Sequence, residues 1–460
     1  MKRFFLLLAL AGCAAVGPDY QRPEMPLPAE FPVPAAKEEP AVPPDWWALY
    51  SDPQLNQLVA EVHKRNADLR LAAAQVEEAE AVMRQARSAI WPEVNVNFSR
   101  TRSRVGTLTA PPPVTGAPLE RNDARLVAST SYEIDFWGRV RRAGEAADAQ
   151  LLGTLLTRDV VTLTLAGLTA QTYFGLRSLD AQVAVLDISL QVRRESLEIA
   201  QARAKAGLAS ELDVFQARGA LADASAQRRD AQRQRALLER QLAQLAGRLD
   251  LKLASADLFT LPVPPTPPAG LPSSLLERRP DIRAAEQNLI ASNAQVGVAR
   301  AARFPTVSLT GFIGGQSAAL EDIASSGIWS LGLGVAAPIF DAGRRAAVEE
   351  QAAARYRQTV ASWQKSVEGA FREVSDALVN LEETTASETD LLDRLQSARA
   401  ALDLSNERYK SGYSPYLEVL DAQRTANDAA IAFVRNRQAR LAFSVDLMRA
   451  LGGGWREAKN

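Results

Sequence analysis

The sequence predicts a mainly α chain with a β-barrel part, internally duplicated, in which long coiled-coil-like helices adjoin four transmembrane β-strands per chain. Three observations predict it. Ordered groups of residues recur at a fixed spacing. Two stretches much longer than an ordinary helix lack proline. Four short segments alternate apolar and polar residues with the period of a strand.

The repeat comes first, because it organises everything else. Lys205-Ala206-Gly207 followed by Leu212-Asp213-Val214-Phe215-Gln216-Ala217 returns as Lys410-Ser411-Gly412 followed by Leu417-Glu418-Val419-Leu420-Asp421-Ala422, an offset of 205. The same offset relates Gly138-Arg139 to Gly343-Arg344, and Ala246-Gly247 to Leu451-Gly452. Upstream the offset is 213: Asp68-Leu69-Arg70 matches Asp281-Ile282-Arg283, and Trp91-Pro92 matches Phe304-Pro305. The first copy therefore holds about eight extra residues, expected in the loop with Pro111, Pro112, Pro113 and Gly116. The first unit spans 51–262, with a strand pair within 92–137 and a hairpin tip near 207. The second spans 273–455, with a strand pair within 304–341 and a tip near 412, leaving 456–460 as a tail.

Met1-Lys2-Arg3 and the apolar run Phe4 to Ala11 read as a secretory signal, too short to cross a bilayer. It ends in Leu10-Ala11-Gly12-Cys13, similar to the bacterial lipobox, so 1–12 is expected to be removed and Cys13 to carry the lipid. Cys13 is the single cysteine, and several acyl chains on one residue anchor stably, at about 0.8 kcal/mol per buried methylene. Ala14, where an Asp would favour the inner membrane, points to the outer one. Residues 13–50 are Pro- and Ala-rich and read as a lipidated tether without a core.

In each unit a helix leads into the strand pair, at about Asp52 to Ile90 and about Ser273 to Arg303. The long helices follow, free of proline from Arg139 to Leu261 and from Gly343 to Ser414. Leu381, Thr384, Glu388, Leu391, Leu395, Ala398 and Leu402 fall at alternating steps of three and four, as do Val183, Leu186, Leu190, Arg193, Leu197 and Ala200, which predicts a seam with a neighbouring helix. Gly207 and Gly412 stand where helices end in a left-handed residue. Ser414 then Pro415 resemble an N-cap and first helical residue, and Ser210 with Asp213 a capping box.

The alternating segments are Val94 to Ser99, Leu126 to Phe136, Thr306 to Gly311 and Trp329 to Ala336. Their length suits tilted membrane strands with one lipid face and one lumen face. Four strands cannot close a barrel, and an open edge cannot face lipid, so several chains must share one. Three chains give twelve strands and leave room for passage.

Composition excludes several functions. A net charge of −1 gives no surface for nucleic acid. A single histidine, His63, with a single cysteine offers no metal cluster or nucleophile pair, and the scattered carboxylates form no acid–base constellation. No enzyme is expected, and no cofactor or metal beyond the covalent lipid on Cys13.

Val16-Gly17-Pro18-Asp19-Tyr20-Gln21-Arg22-Pro23, Leu276 to Glu286, Arg303-Phe304-Pro305, Arg408 to Gly412 and Ala450 to Trp455 together resemble the outer-membrane efflux lipoproteins of the TolC-like outer membrane factor family. The resemblance implies a homotrimer in the outer-membrane lipid, with a twelve-stranded β-barrel continued by an α-helical periplasmic tunnel. Its expected partners are a periplasmic adaptor and an inner-membrane transporter of the resistance-nodulation-division type. It implies a periplasmic gate at Glu418, Asp421, Asp213 and Tyr409, and adaptor contacts at Gly207, Leu208, Gly412, Tyr413 and Ser414. Some relatives carry a basic residue where this chain has Ser414, so that form of salt-bridge lock is not expected here. The alternatives are the outer-membrane channel of a type I protein secretion system and a pore-free coiled-coil lipoprotein.

Overall fold

The computed structural model describes residues 15–28, 31, 42–106, 116, 118–264, 266–267 and 272–455. Cys13, the signal and the tail lie outside the described residues. The chain divides into two compact units. One comprises Met1–Glu24, Gln75–Leu155 and Ala284–Trp363; the other Met25–Ala74, Leu156–Arg283 and Gln364–Asn460. The two repeats thus contribute to both units, and the units are not the repeats themselves.

Helices α1 (Pro53–Arg65) and α2 (Ala67–Ser88) precede strands β1 (Glu93–Arg104) and β2 (Glu120–Ile134), followed by α3 (Arg139–Lys205) and α4 (Glu211–Leu245). The second copy runs α5 (Leu275–Arg278), α6 (Pro280–Ala301), β3 (Thr306–Ser317), β4 (Gly327–Ala336), α7 (Arg344–Lys410) and α8 (Tyr416–Ala450). The repeat is numerically close: α3 and α7 each have 67 residues, α4 and α8 each 35. At 1.5 Å per residue each long helix is on the order of 100 Å long. By length and composition alone α3 is long and apolar enough to cross a membrane, although no continuous apolar run marks it.

The first helix of each copy is split where one helix was expected. Asn66 takes an extended backbone and its Oδ1 accepts from the N–H of Asp68 (2.8 Å), so it caps α2 while ending α1. Its Nδ2 donates to the carbonyl of Leu245 (3.0 Å). Arg279 is extended because Pro280 follows, and a residue before proline is pushed out of the helical region.

The first unit holds one antiparallel sheet in the order β1-β2-β3-β4. The β1–β2 register is continuous from Glu93 opposite Ser131 to Arg104 opposite Glu120. One face carries Val94, Val96, Phe98, Leu126, Ile313, Trp329, Leu331, Leu333 and Val335, all exposed in the single chain. The opposite face carries Asn95, Asn97, Ser129, Ser308, Thr310, Ser330, Gly332 and Gly334. All four helices joined to the strands leave from one end of the sheet. The extra residues of the first copy are shared: the connection 105–119, partly outside the described residues, is longer than 318–326, and β2 is longer than β4.

The Pro-rich leader is more ordered than a tether. The Val16 N–H donates to the carbonyl of Trp137 (2.9 Å) and Asn293 Nδ2 to that of Pro18 (2.9 Å). Arg142 pairs with Asp19 at 2.7 Å, and Tyr20 and Arg22 both donate to the buried Glu286. These polar anchors hold Val16 to Arg22 down, and further along the leader Phe31 is buried and stacks on Phe371 at 5.2 Å.

In the second unit, Trp46, Tyr50, Leu55, Tyr173, Phe174 and Leu176 are fully buried. Tyr50 packs 4.8 Å from Phe174 and its hydroxyl shares a 2.6 Å hydrogen bond with Ser444. Arg177, almost wholly buried, is neutralised by Asp180 (2.8 Å) and donates to the Ala254 carbonyl (2.6 Å). The heptad seams form: Leu179, Leu186 and Ala231 cluster in one hairpin, and Leu395, Ala398, Ala426, Ala429 and Ala430 in the other. The polar seam position Glu388 is paired by Arg437 and Arg440.

Candidate functional site

Both hairpin tips lie in the second unit. The α3 helix ends with Gly207 at φ 70°, where the Leu208 N–H donates to the Arg203 carbonyl (2.8 Å) and the Gly207 N–H to that of Ala204 (3.0 Å). The α7 helix repeats this at Gly412, φ 81°, with Tyr413 bonded to Arg408 (2.9 Å) and Gly412 to Tyr409 (3.0 Å). Only glycine reaches such φ without penalty, which explains the recurrence. The Ser210 hydroxyl caps α4 through the Leu212 N–H (3.1 Å). Ser414 does not cap α8 as expected. Pro415 occupies the cap position, and the Ser414 hydroxyl is buried without a hydrogen-bond partner among the described residues. The turn places that hydroxyl inward, away from the N–H groups it would have served.

Tyr409 sits in a small core beneath the tips with Ala200, Ala217, Tyr416 and Val419. Its ring lies 5.4 Å from that of Tyr416. Arg203, on the first tip, stacks over the Tyr409 ring at 4.8 Å and donates through Nη1 to the carbonyls of Tyr409 (2.6 Å) and Lys410 (3.4 Å). The first tip is thus tied to the second by a guanidinium at a helix C-terminus, where the dipole favours a cation. Burial, then the charge of Asp213, push the Tyr409 hydroxyl above its ordinary pKa; burial likewise pushes Tyr416 up to about 12. Both phenols are neutral at physiological pH.

Glu418 and Asp421 occupy the first turns of α8, but neither is an isolated charge. Arg408 Nε donates to Glu418 (2.9 Å) and Arg424 Nη2 to Asp421 (3.2 Å). Ser414 leaves no basic partner after the tip, and Arg408, within the last turn of α7, supplies one before it. Asp213 stands apart from this acidic pair and acts on the two tyrosines. Arg203, Arg408, Arg424 and Tyr416 are the tip residues that the sequence reading missed. Each lies about one turn from a residue already singled out, but spacing alone does not assign its partner. Around the tips Leu208, Leu212, Phe215, Tyr413 and Leu417 are exposed, Tyr413 to 81%.

Membrane-type strands and tip geometry together define a class, an outer-membrane channel with a helical hairpin end. Comparison with known proteins agrees. The family model described as outer membrane efflux protein matches residues 58–248 and 271–453, and the chain belongs to that family. It is the outer-membrane channel of an efflux system. It is 34% identical to the toluene efflux pump outer membrane protein TtgI of Pseudomonas putida over 487 residues, covering 99% of this chain and 98% of that one. It is 33% identical to the cation efflux system protein CusC of Escherichia coli O6:H1, covering 99% and 98%. The solved structure of CusC superposes with a TM-score of 0.86 at 30% identity over 96% of this chain and all of that one. The open-state MtrE channel of Neisseria gonorrhoeae superposes at 0.85 with 28% identity, covering 96% and 98%. TtgI and CusC are named for efflux, which sets aside the protein-secretion alternative, and a pore-free coiled coil does not fit the sheet.

Proposed function

We propose that three copies of this chain close one twelve-stranded barrel and serve as the passive exit duct of a tripartite pump. A periplasmic adaptor would engage the hairpin tips, and an inner-membrane transporter of the resistance-nodulation-division type would deliver the cargo. The duct itself performs no chemistry and takes no cofactor beyond the lipid on Cys13. The observation that carries this reading is the four-stranded sheet. The outer edges of β1 and β4 have no partner strand among the described residues of the single chain, and the apolar face of the sheet is exposed. Unpaired backbone groups at lipid depth cost several kcal/mol each, so the edges must meet other chains. The Ser-, Thr- and Gly-rich opposite face suits a wet lumen.

The tips form the gate in this proposal. Glu418 and Asp421 make rings of like charge that disfavour anions and bind cations, as charged rings do in other pores. Arg408 and Arg424 moderate that charge. Tyr409, with Asp213 beside it, holds the tip core, and the surface with Gly207, Leu208, Gly412 and Tyr413 meets the adaptor, while Ser414, expected there too, is buried beneath the turn. The test is electrophysiology on purified protein in planar bilayers with native mass spectrometry. The expected result is a trimeric mass, acyl modification of the mature N-terminal cysteine, and a pore. Replacing Glu418→Ala with Asp421→Ala should raise conductance and weaken block by divalent cations. A monomeric, non-conducting protein would overturn the duct, and an unchanged double variant the gate.

A further inference from the structure

The lipid face of β1 changes character part-way along. Alternate residues of a strand share a face, and the β1–β2 register runs unbroken, so Val94, Val96, Phe98, Arg100, Arg102 and Arg104 form one stripe. Their partners across the pair are Thr130, Ala128, Leu126, Ala124, Asn122 and Glu120. Three arginines thus extend the apolar face of the sheet, and all three are exposed. Arg102 pairs with Glu120 at 2.5 Å. Arg100 and Arg104 have no ion pair among the described residues, so three cations meet one carboxylate.

Position explains how they are tolerated. A strand tilted by about 40° climbs roughly 2.5 Å per residue along the membrane normal, so the ten steps along β2 from Ile134 to Ala124, the residue opposite Arg100, cover about 25 Å, the height of an outer-membrane apolar band. An arginine at the mid-plane costs about 2–4 kcal/mol and near the interface about 0–1. The arginines therefore fall at the edge of the band, with their heads at headgroup level. The helices leave from the opposite end of the sheet, where β1 begins, and that end faces the periplasm. The arginines are on the outer leaflet side.

On the reading of the chain as an outer-membrane channel, we propose that Arg100, Arg102 and Arg104 form a docking site for the phosphate groups of a phosphorylated glycolipid of the outer leaflet. Alternate positions on a strand stand about 6.6–6.8 Å apart, so neighbouring guanidiniums can share one phosphate or engage two. The planar fork of arginine matches phosphate oxygens bidentately, which lysine does not. The acyl chains of the same lipid would lie along Phe98, Val96 and Val94. Apolar stripe and cationic head thus match the two ends of one amphiphile.

The experiment uses full-length protein in detergent, titrated by native mass spectrometry with lipid A, with enzymatically dephosphorylated lipid A, and with inorganic phosphate as competitor. Wild-type protein should retain lipid A at least tenfold more tightly than the dephosphorylated form. The triple variant Arg100→Ala, Arg102→Ala, Arg104→Ala should lose that preference, and the triple Arg→Lys variant should keep only part of it. Millimolar phosphate alone should not displace the lipid. Equal retention by wild type and the Ala variant, or no preference for phosphorylated lipid, would overturn the site; so would complete displacement by phosphate. Conductance of the variants in bilayers reports the channel separately: if even the wild type forms no pore, the channel reading fails, whereas a pore with no lipid preference defeats only the lipid site.

Discussion

Replacing Arg203 with alanine should open the tip end of the channel. Arg203 donates to the Tyr409 carbonyl at 2.6 Å and lies 4.8 Å over its ring, so one side chain joins the first hairpin tip to the second. A hydrogen bond from a charged group contributes about 1.5–3 kcal/mol and a partly exposed cation–π contact about 0.5–1. Discounting for the solvent at one side of the guanidinium, about 2 kcal/mol per protomer is a conservative figure. That corresponds to roughly a 30-fold shift towards separated tips, since about 1.4 kcal/mol is a factor of ten. Single-channel recording of Arg203→Ala in planar bilayers should show longer open times and higher mean conductance. Arg203→Lys should fall between, keeping the charge but losing the fork. If the alanine variant records like wild type while its thermal melt is also unchanged, the clamp is not what holds the tips together, and the reasoning fails.

Two other outcomes follow from buried groups. Tyr416 is fully buried, and its hydroxyl has no hydrogen-bond partner among the described residues. Its pKa is raised to about 12, against about 10 in an unfolded chain, so the folded state holds the proton longer and stability declines as pH rises between those values. At about 1.4 kcal/mol per pKa unit the full decline is about 3 kcal/mol, and Tyr416→Phe should move the alkaline unfolding midpoint upward in a circular-dichroism titration; identical midpoints would count against it. Asn66→Ala removes both the α2 cap and the bond to Leu245, at a cost of about 1–2 kcal/mol. Calorimetry should show a melting temperature lowered by a few degrees, and an unchanged melt would mean that solvent replaces both bonds.

Much of this architecture is legible in the sequence because it is periodic. The repeat at 205 residues, the period-two strands and the three-four seams each leave a pattern that depends on local spacing alone. The helix breaks were partly readable: Pro280 announces the break at Arg279, while Asn66 looks like any polar residue on a helix until its Oδ1 is seen to accept from Asp68. The leader from Val16 to Arg22 was read as tether because its anchors are single polar residues, Arg142, Glu286 and Asn293, lying more than a hundred residues away in sequence. At the tips, the glycines showed themselves, and so did the acidic residues of the first helical turns. Their arginine partners did not, since pairing Arg408 with Glu418 requires knowing how tightly the turn between them folds. Ser414 misled for the same reason: its spacing suits a cap, and the turn directs it inward.

The open sheet has a consequence for how the protein is made. A single chain in water would expose an apolar face and two rows of unpaired backbone groups, the combination that drives strands to stick to whatever they meet. The last hydrogen bonds of the fold can form only when chains join, so assembly and insertion are one event and not two. A newly exported chain is therefore an incomplete object that must be shielded in transit, and its fate depends on local concentration. Mutations that slow the meeting of edges would lower the amount of channel without altering any channel that forms.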